Sequence, residues 1–157
     1  SRKIVGWALA SDMGAEHAVS ALKMALRQRG DKSAELIHHS DRGTQYCSQR
    51  YVKLLRKNGA SVSMTENGDP RENAYAERVN GTIKNEYIKR MDISAENAPK
   101  VVAKAINNYN DNRPHASIEW LTPSEAHQME GLLDRKWKHY PWYKARNTEK
   151  SPNFASP

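Results

Sequence analysis

A chain of 157 residues, 38% of them hydrophobic, suits one domain with a core of its own. No run approaches the ~18 apolar residues of a membrane span and no signal-peptide pattern opens the chain, while a lone cysteine, Cys47, cannot close an intrachain disulfide; a reducing cytoplasm is the expected compartment. The net charge of +7 and pI of about 9.5 favour a polyanionic partner, nucleic acid first.

Ser1 rather than Met opens the chain, as expected of a piece of a longer protein. Ile4 to Ala10 (IVGWALA) is a short apolar run between polar residues and predicts a strand. Gly14 to Arg29 predicts a helix, with Ala18, Val19, Leu22 and Leu26 at helical spacing and Gly30 as its stop. Glu35 to His39 predicts a buried strand that enters the loop HHSDRGTQY. Ser48 is placed to cap a helix through Asn58, with Tyr51, Leu54 and Leu55 inward and Gly59 at its end. Ser61 to Thr65 alternates as a third strand, and the polar turn ENGDP follows.

Ala74 to Arg90 predicts a long helix with the apolar stripe Ala76, Val79, Ile83 and Tyr87. A further helix is expected from Ala95 to Asn110, with Pro99 in its first turn and Val102, Ala105, Ile106 and Tyr109 inward. In LTPSEAHQM, Thr122 is an N-cap, Pro123 stands at the first helical position and Glu125 completes a capping box. Arg135 to Pro157 carries six Lys/Arg against one Glu and reads as an irregular basic tail able to touch a DNA backbone. Strands that alternate with helices give an α/β class, in which function gathers at strand ends.

Asp41 stands at one such end. Glu77 lies in the long helix, where at about 100° per residue Asn73, Glu77, Asn80 and Lys84 fall within about 60° of one another, at the margin of the apolar stripe. Taken singly, such an aspartate reads as a turn or cap residue and such a glutamate as a surface residue. His38 and His39 suggest a metal loop, but neighbours on a strand point to opposite faces, so one is expected to pack inside and the other to lie near the site. Gly43 is expected to permit a tight turn, Tyr46 to pack the loop, and Cys47 to be a small buried residue with no base beside it. Trp7, Trp120, Trp137 and Trp142 are expected as core or tail anchors.

The stretches HHSDRGTQYCS and PRENAYAERVNGTIKNE together resemble the retroviral-integrase-like transposases of bacterial insertion sequences. In that family an H-S-D-R-G-x-Q-Y loop carries one aspartate and a D-N-A-x-A-E helix carries a glutamate. The interval between the two is 35 residues, and a basic residue follows seven after the glutamate. Here 35 residues separate Asp41 from Glu77, and Lys84 follows seven beyond. YNDNRPH (Tyr109 to His115) and LTPSEA (Leu121 to Ala126) also resemble the family's closing segment, and SRKIVGWALA resembles its third strand. The likeness covers residues 1–128, expected as a catalytic core, and leaves residues 129–157 as the basic tail. Glu72 departs from the family, which places an aspartate there.

The resemblance implies a ribonuclease-H-like integrase core with a five-stranded sheet in the order 3-2-1-4-5, here N-terminally incomplete because the first two strands are missing. It implies a D-D-E carboxylate triad holding two Mg²⁺ or Mn²⁺ ions, with Asp41 and Glu77 as metal ligands, Lys84 on DNA phosphate, and Asn80 and Asn73 positioning Glu77 or DNA. The implied reaction is cleavage and strand transfer on transposon ends and target DNA, by a homo-oligomer with no membrane role in the bacterial cytoplasm. The family's first aspartate lies upstream of SRKIVGWALA, and the nearby Asp12 reads as a helix cap. This chain alone is therefore expected to bind metal weakly and catalyse little. Two other readings stand beside it: a non-catalytic remnant that binds DNA or pairs with intact transposase, and a nuclease that cuts without joining.

Overall fold

The computed structural model describes residues 1–30, 34–65 and 73–131. Its elements, in chain order, are α1 (Ala15–Gln28), β1 (Leu36–Ser40), α2 (Thr44–Cys47), α3 (Gln49–Lys57), β2 (Ala60–Met64) and α4 (Ala74–Thr82). A π-helical turn (Ile83–Ile88) continues α4; α5 (Ala98–Asn112), a 3₁₀ turn (Ala116–Ile118) and α6 (Pro123–Gln128) follow.

The helices sit where apolar spacing and caps put them. Ser48 Oγ accepts the Tyr51 N–H at 3.4 Å and starts α3. Gly59, at φ +69°, ends the connection in the left-handed conformation that glycine adopts without steric cost. Thr122 and Glu125 close a reciprocal capping box on α6 behind Pro123.

β1 and β2 pair in parallel with Leu36 opposite Ala60 and Ser40 opposite Met64. A parallel pair needs a crossover, and α2 with α3 supplies it. Val19 and Leu22 of α1, Tyr51 and Leu55 of α3 and Ala60 of β2 form the core beneath this sheet, with Leu36, Tyr46 and Val62 packed around it. A second packing centre joins α5 to α6 and buries Ala105, Ile106, Tyr109, Pro123 and Ala126.

The predicted strand from Ile4 to Ala10 does not form; among the described residues β1 and β2 are the whole sheet. A strand needs a neighbour for its backbone groups, and among the described residues this segment has none. The buried side chain of Asn110 on α5 stands in: its Oδ1 accepts the Ile4 N–H at 2.9 Å and its Nδ2 donates to the Ile4 carbonyl at 3.0 Å. Gly6 lies so close to α1 that a β-carbon there would collide with the Ala21 carbonyl oxygen. Between this segment, α1, α2, α4, the π turn and α5 lies a cavity of about 720 Å³.

That cavity explains a second departure. α4 buries none of its residues, and Glu77 is exposed rather than set at the edge of a packed face. The stripe Ala76, Val79 and Ile83 lines open space instead of meeting a core. The ENGDP turn, Glu72, Trp137, Trp142 and the Arg135–Pro157 tail lie outside the described residues.

Candidate active site

The Asp41 loop is anchored at both strand ends. The Thr65 N–H donates to the Ser40 carbonyl at 3.0 Å, and Arg42 Nε donates to the Thr65 carbonyl at 2.7 Å. Asp41 is exposed, and its Oδ1 accepts the Gly43 N–H at 2.9 Å in the local turn that aspartates favour. The other carboxylate oxygen has no hydrogen-bond partner among the described residues.

Gly43 has φ −55°, which any residue adopts, so it is not there to permit a left-handed turn. A β-carbon at Gly43 would lie 2.9 Å from Asp41 Oδ1 and 2.5 Å from Gln45 Nε2. The glycine keeps room for the carboxylate.

Beyond Gly43, α2 turns Gln45 and Tyr46 toward the cavity. Tyr46 packs the loop as expected, edge-on to Tyr51 with centroids 5.5 Å apart. Cys47 is exposed rather than buried, because this one-turn helix lies at the surface; its Sγ lies 3.7 Å from the Arg42 carbonyl and 3.9 Å from Met64 Sδ, with no base beside it.

The two histidines divide as strand geometry requires. His38 is half-buried, with Nε2 2.9 Å from Tyr51 Oη, and burial lowers its pKa from the ordinary 6.5. Tyr51, buried in turn, has its hydroxyl pushed up to about 12. His39 is exposed, with Nδ1 2.8 Å from Ser63 Oγ on β2.

On the helix side, Asn73 is the N-cap of α4 without a capping side-chain bond, and Glu77 lies in the first turn, where a negative charge suits the helix dipole. Asn80 and Lys84 are exposed and line the cavity, with Lys84 inside the π turn. Gln45 and Tyr46 from the aspartate loop therefore share a cavity with Asn80 and Lys84 from the glutamate helix; Asp41 and Glu77 themselves are not among its walls.

Asp41 and Glu77 offer only carboxylate oxygens, the donor type that hard divalent cations prefer. Among the described residues the group of three close enough to share one ion is a different one, Asp12, Glu16 and His17. There Asp12 Oδ1 accepts the Gly14 N–H at 2.7 Å and lies 3.0 Å from His17 Nε2. Asp12 thus supports the start of α1 from outside it, while Gly14 holds the N-cap position. The backbone hydrogen bond from Gly14 lowers the Asp12 pKa, with His17 adding to the effect.

Sequence reasoning missed Asn110, whose buried amide replaces a strand partner; an asparagine on an inward helix face was its only signal. Trp120, expected as an anchor, is 65% exposed, because it follows Glu119 in two successive left-handed residues that turn the chain outward.

Two family models, each described as an integrase core domain, match residues 1–70 and 58–123. The two overlap and together span residues 1–123, which include Asp41 and Glu77, and the chain belongs to the integrase core family. Over 127 residues it is 33% identical to the transposase for insertion sequence element IS904 of Lactococcus lactis subsp. lactis, covering 80% of this chain and 50% of that protein. The curated relatives are transposases of bacterial insertion sequences, and it is their integrase-like core that the chain resembles.

Solved structures agree on a ribonuclease-H-like fold. One is the simian T-cell lymphotropic virus intasome in complex with PP2A regulatory subunit B56 gamma (TM-score 0.60, 15% identity, 84% of this chain and 46% of that one). Another is the HTLV-2 integrase catalytic core domain in complex with magnesium, trimeric form (TM-score 0.53, 18% identity, 73% and 70%). The chain spans half the length or less of the insertion-sequence relatives it matches first. No helix among the described residues is long and apolar enough to cross a membrane.

Proposed function

We propose that this chain is the part of a DNA strand-transferase core that carries the second and third carboxylates of a metal-binding triad, Asp41 and Glu77. The observation that carries this reading is the shared cavity: the loop holding Asp41 and the helix holding Glu77 both border it, through Gln45 and Tyr46 on one side and Asn80 and Lys84 on the other. Mg²⁺ or Mn²⁺ is the matching cofactor; a magnesium-bound integrase core of similar fold supports that choice. When bound, two such ions would supply Lewis acidity at a phosphodiester.

The chain's own residues do the rest. Asp41 and Glu77 supply the carboxylate oxygens from the two elements that border the cavity, and the Gly43 N–H fixes one oxygen of Asp41. Lys84 offers an ammonium to a DNA phosphate, and Asn80 and Asn73 orient Glu77 or the DNA. No side chain serves as nucleophile; water attacks when DNA is nicked and a 3′-hydroxyl attacks when strands are joined. Residues 1–128 form the core and 129–157 a basic tail, and the working form is a homo-oligomer on transposon ends and target DNA in the bacterial cytoplasm.

The test is strand transfer of a pre-cleaved DNA end by the full-length protein in Mg²⁺. Asp41→Asn and Glu77→Gln should each abolish joined product while leaving DNA binding within about threefold, since ligands act on chemistry and phosphate contacts on affinity. Residues 1–157 alone should give little product. Joining by residues 1–157 that survives Asp41→Asn would overturn the assignment, and cleavage without joining would favour the nuclease. DNA or transposase binding with no metal-dependent product would favour the remnant.

A further inference from the structure

The YNDNRPH segment carries an arginine, Arg113, that lies outside the Asp41 loop and the Glu77 helix. Arg113 caps the C-terminus of α5, and its guanidinium grips Glu86 with both terminal nitrogens, NH1 on one carboxylate oxygen and NH2 on the other at 3.1 Å. Both partners are partly shielded, with side chains 32% and 47% exposed. Arg113 Nε is buried, and Tyr87 of the π turn also interacts with the guanidinium, so the group is held in place rather than waving in solvent. A bidentate arginine–carboxylate pair fixes orientation as well as distance.

The place of that grip matters. Glu86 lies within the π turn, whose backbone is marked by the Lys89 N–H donating to the Lys84 carbonyl at 2.9 Å. α4 buries no residue of its own, and its side-chain packing is light, with Arg2 over the Tyr75 ring at 4.9 Å and Val79 half-buried. The helix is joined to α5 through the π turn. A π turn holds one more residue than an α turn, which slips everything beyond it by on the order of 100°. The turn that carries Lys84 is thus also the turn that sets the phase between α4 and α5.

We propose that Arg113, through its two-pronged hold on Glu86, is a positioning residue that fixes the rotation of the Glu77 and Lys84 helix relative to the Asp41 loop. The role rests on the function proposed above. The geometry gives its scale: side chains extend about 5–6 Å from a helix axis, so a rotation of about 10° displaces the Glu77 carboxylate by about 1 Å. A misplacement of about 1 Å costs a reaction on the order of a hundredfold.

The first arm of the test needs no activity. Cys47, the single cysteine, is exposed in the Asp41 loop, and Arg78 is exposed on α4. Spin labels on Cys47 and on Arg78→Cys in the 157-residue chain report the loop-to-helix distance. Arg113→Gln should broaden or shift that distribution. Arg113→Lys, which keeps the charge and most of the volume but loses the fork, should do the same with an unchanged melting temperature. The exchange of Arg113→Glu with Glu86→Arg should restore the narrow distribution. Superimposable distributions in a folded Arg113 variant, or a folded exchange that restores nothing, would overturn the proposal.

The second arm is the Mn²⁺ concentration for half-maximal strand transfer by the full-length protein. It should rise about tenfold in Arg113→Lys and return in the exchange, in line with the loss seen when groups supporting metal ligands are removed. An unchanged metal requirement with uniformly lower activity would mean a merely structural pair and sink the positioning role. If the unaltered protein shows no metal-dependent DNA chemistry, the functional reading fails, and the distance arm alone decides whether the clamp sets the helix.

Discussion

Gly43 and Asp41 show how one residue's volume governs another's chemistry. The backbone at Gly43 is ordinary, so alanine can adopt it, but the added β-carbon would press on the far ends of Asp41 and Gln45. Both ends are flexible and can yield. Gly43→Ala should therefore change stability by no more than about 1 kcal/mol in chemical unfolding while displacing the Asp41 carboxylate. Metal-dependent joining should fall at least tenfold, a split between folding and function that a simple turn role for Gly43 does not give.

His38 and Tyr51 set a pH window by the same kind of local argument. Burial lowers the His38 pKa below its ordinary 6.5, so the unfolded chain takes up a proton that the folded chain resists. Its contribution is complete above 6.5 and is lost as pH falls through the lowered folded value. Tyr51, raised to about 12, contributes fully below its ordinary 10.0 and loses that contribution as pH rises through the interval between them. Melting temperature should fall as pH drops below 6.5 and as it rises beyond 10.0, and the amino group of Ser1, also lowered by burial, adds its own loss below its ordinary 8.0. His38→Gln should shallow the acid limb without removing it, since burial also lowers His115 and His127.

Among the elements, stability concentrates where α1, α3 and β2 meet. Leu55 is 1% exposed at the centre of that cluster, and Leu55→Ala should cost about 2–5 kcal/mol in denaturant unfolding. Thr122→Ala, which removes one half of an exposed capping box, should cost about 1 kcal/mol. The same contrast explains what could be read from the residues. Val19 and Leu22 recur at helical spacing, and Ser48 and Thr122 announce starts, so α1, α3 and α6 were legible from local chemistry alone.

The π turn was not legible, because IKNEYI keeps helical spacing and nothing in its composition announces the wider backbone bond from the Lys89 N–H to the Lys84 carbonyl. The strand expected at IVGWALA failed for the converse reason: its composition suits a strand, but a strand is a property of two segments, and Asn110 became the partner. At the site, the spacing of Asp41, Glu77 and Lys84 could be counted along the chain. The cavity that joins their supports could not, because it arises from where α4 fails to pack.

For the molecule as a whole, charge is the property that no single element holds. The net charge is +7, and Arg135 to Pro157 contributes six Lys/Arg against one Glu, so most of the surplus lies beyond the core. A DNA-binding affinity built on phosphate contacts falls with salt, at about 0.9 in the logarithmic slope for each contact. On the function proposed above, the tail and Lys84 make separable contributions. Removal of residues 135–157 should shallow the slope of log affinity against log salt by up to about five, whereas Lys84→Ala should shallow it by about one and weaken all sequences alike.

Neither change touches the carboxylates, so joined product per bound complex should drop for Lys84→Ala, which acts at the cavity, and hold for the truncation, which acts only on capture. Filter-binding isotherms between 50 and 200 mM salt, about the range over which such contacts lose most of their strength, supply the measurement. A slope unmoved by the truncation would place the DNA path wholly on the core, and the basic surplus would then serve solubility rather than recognition.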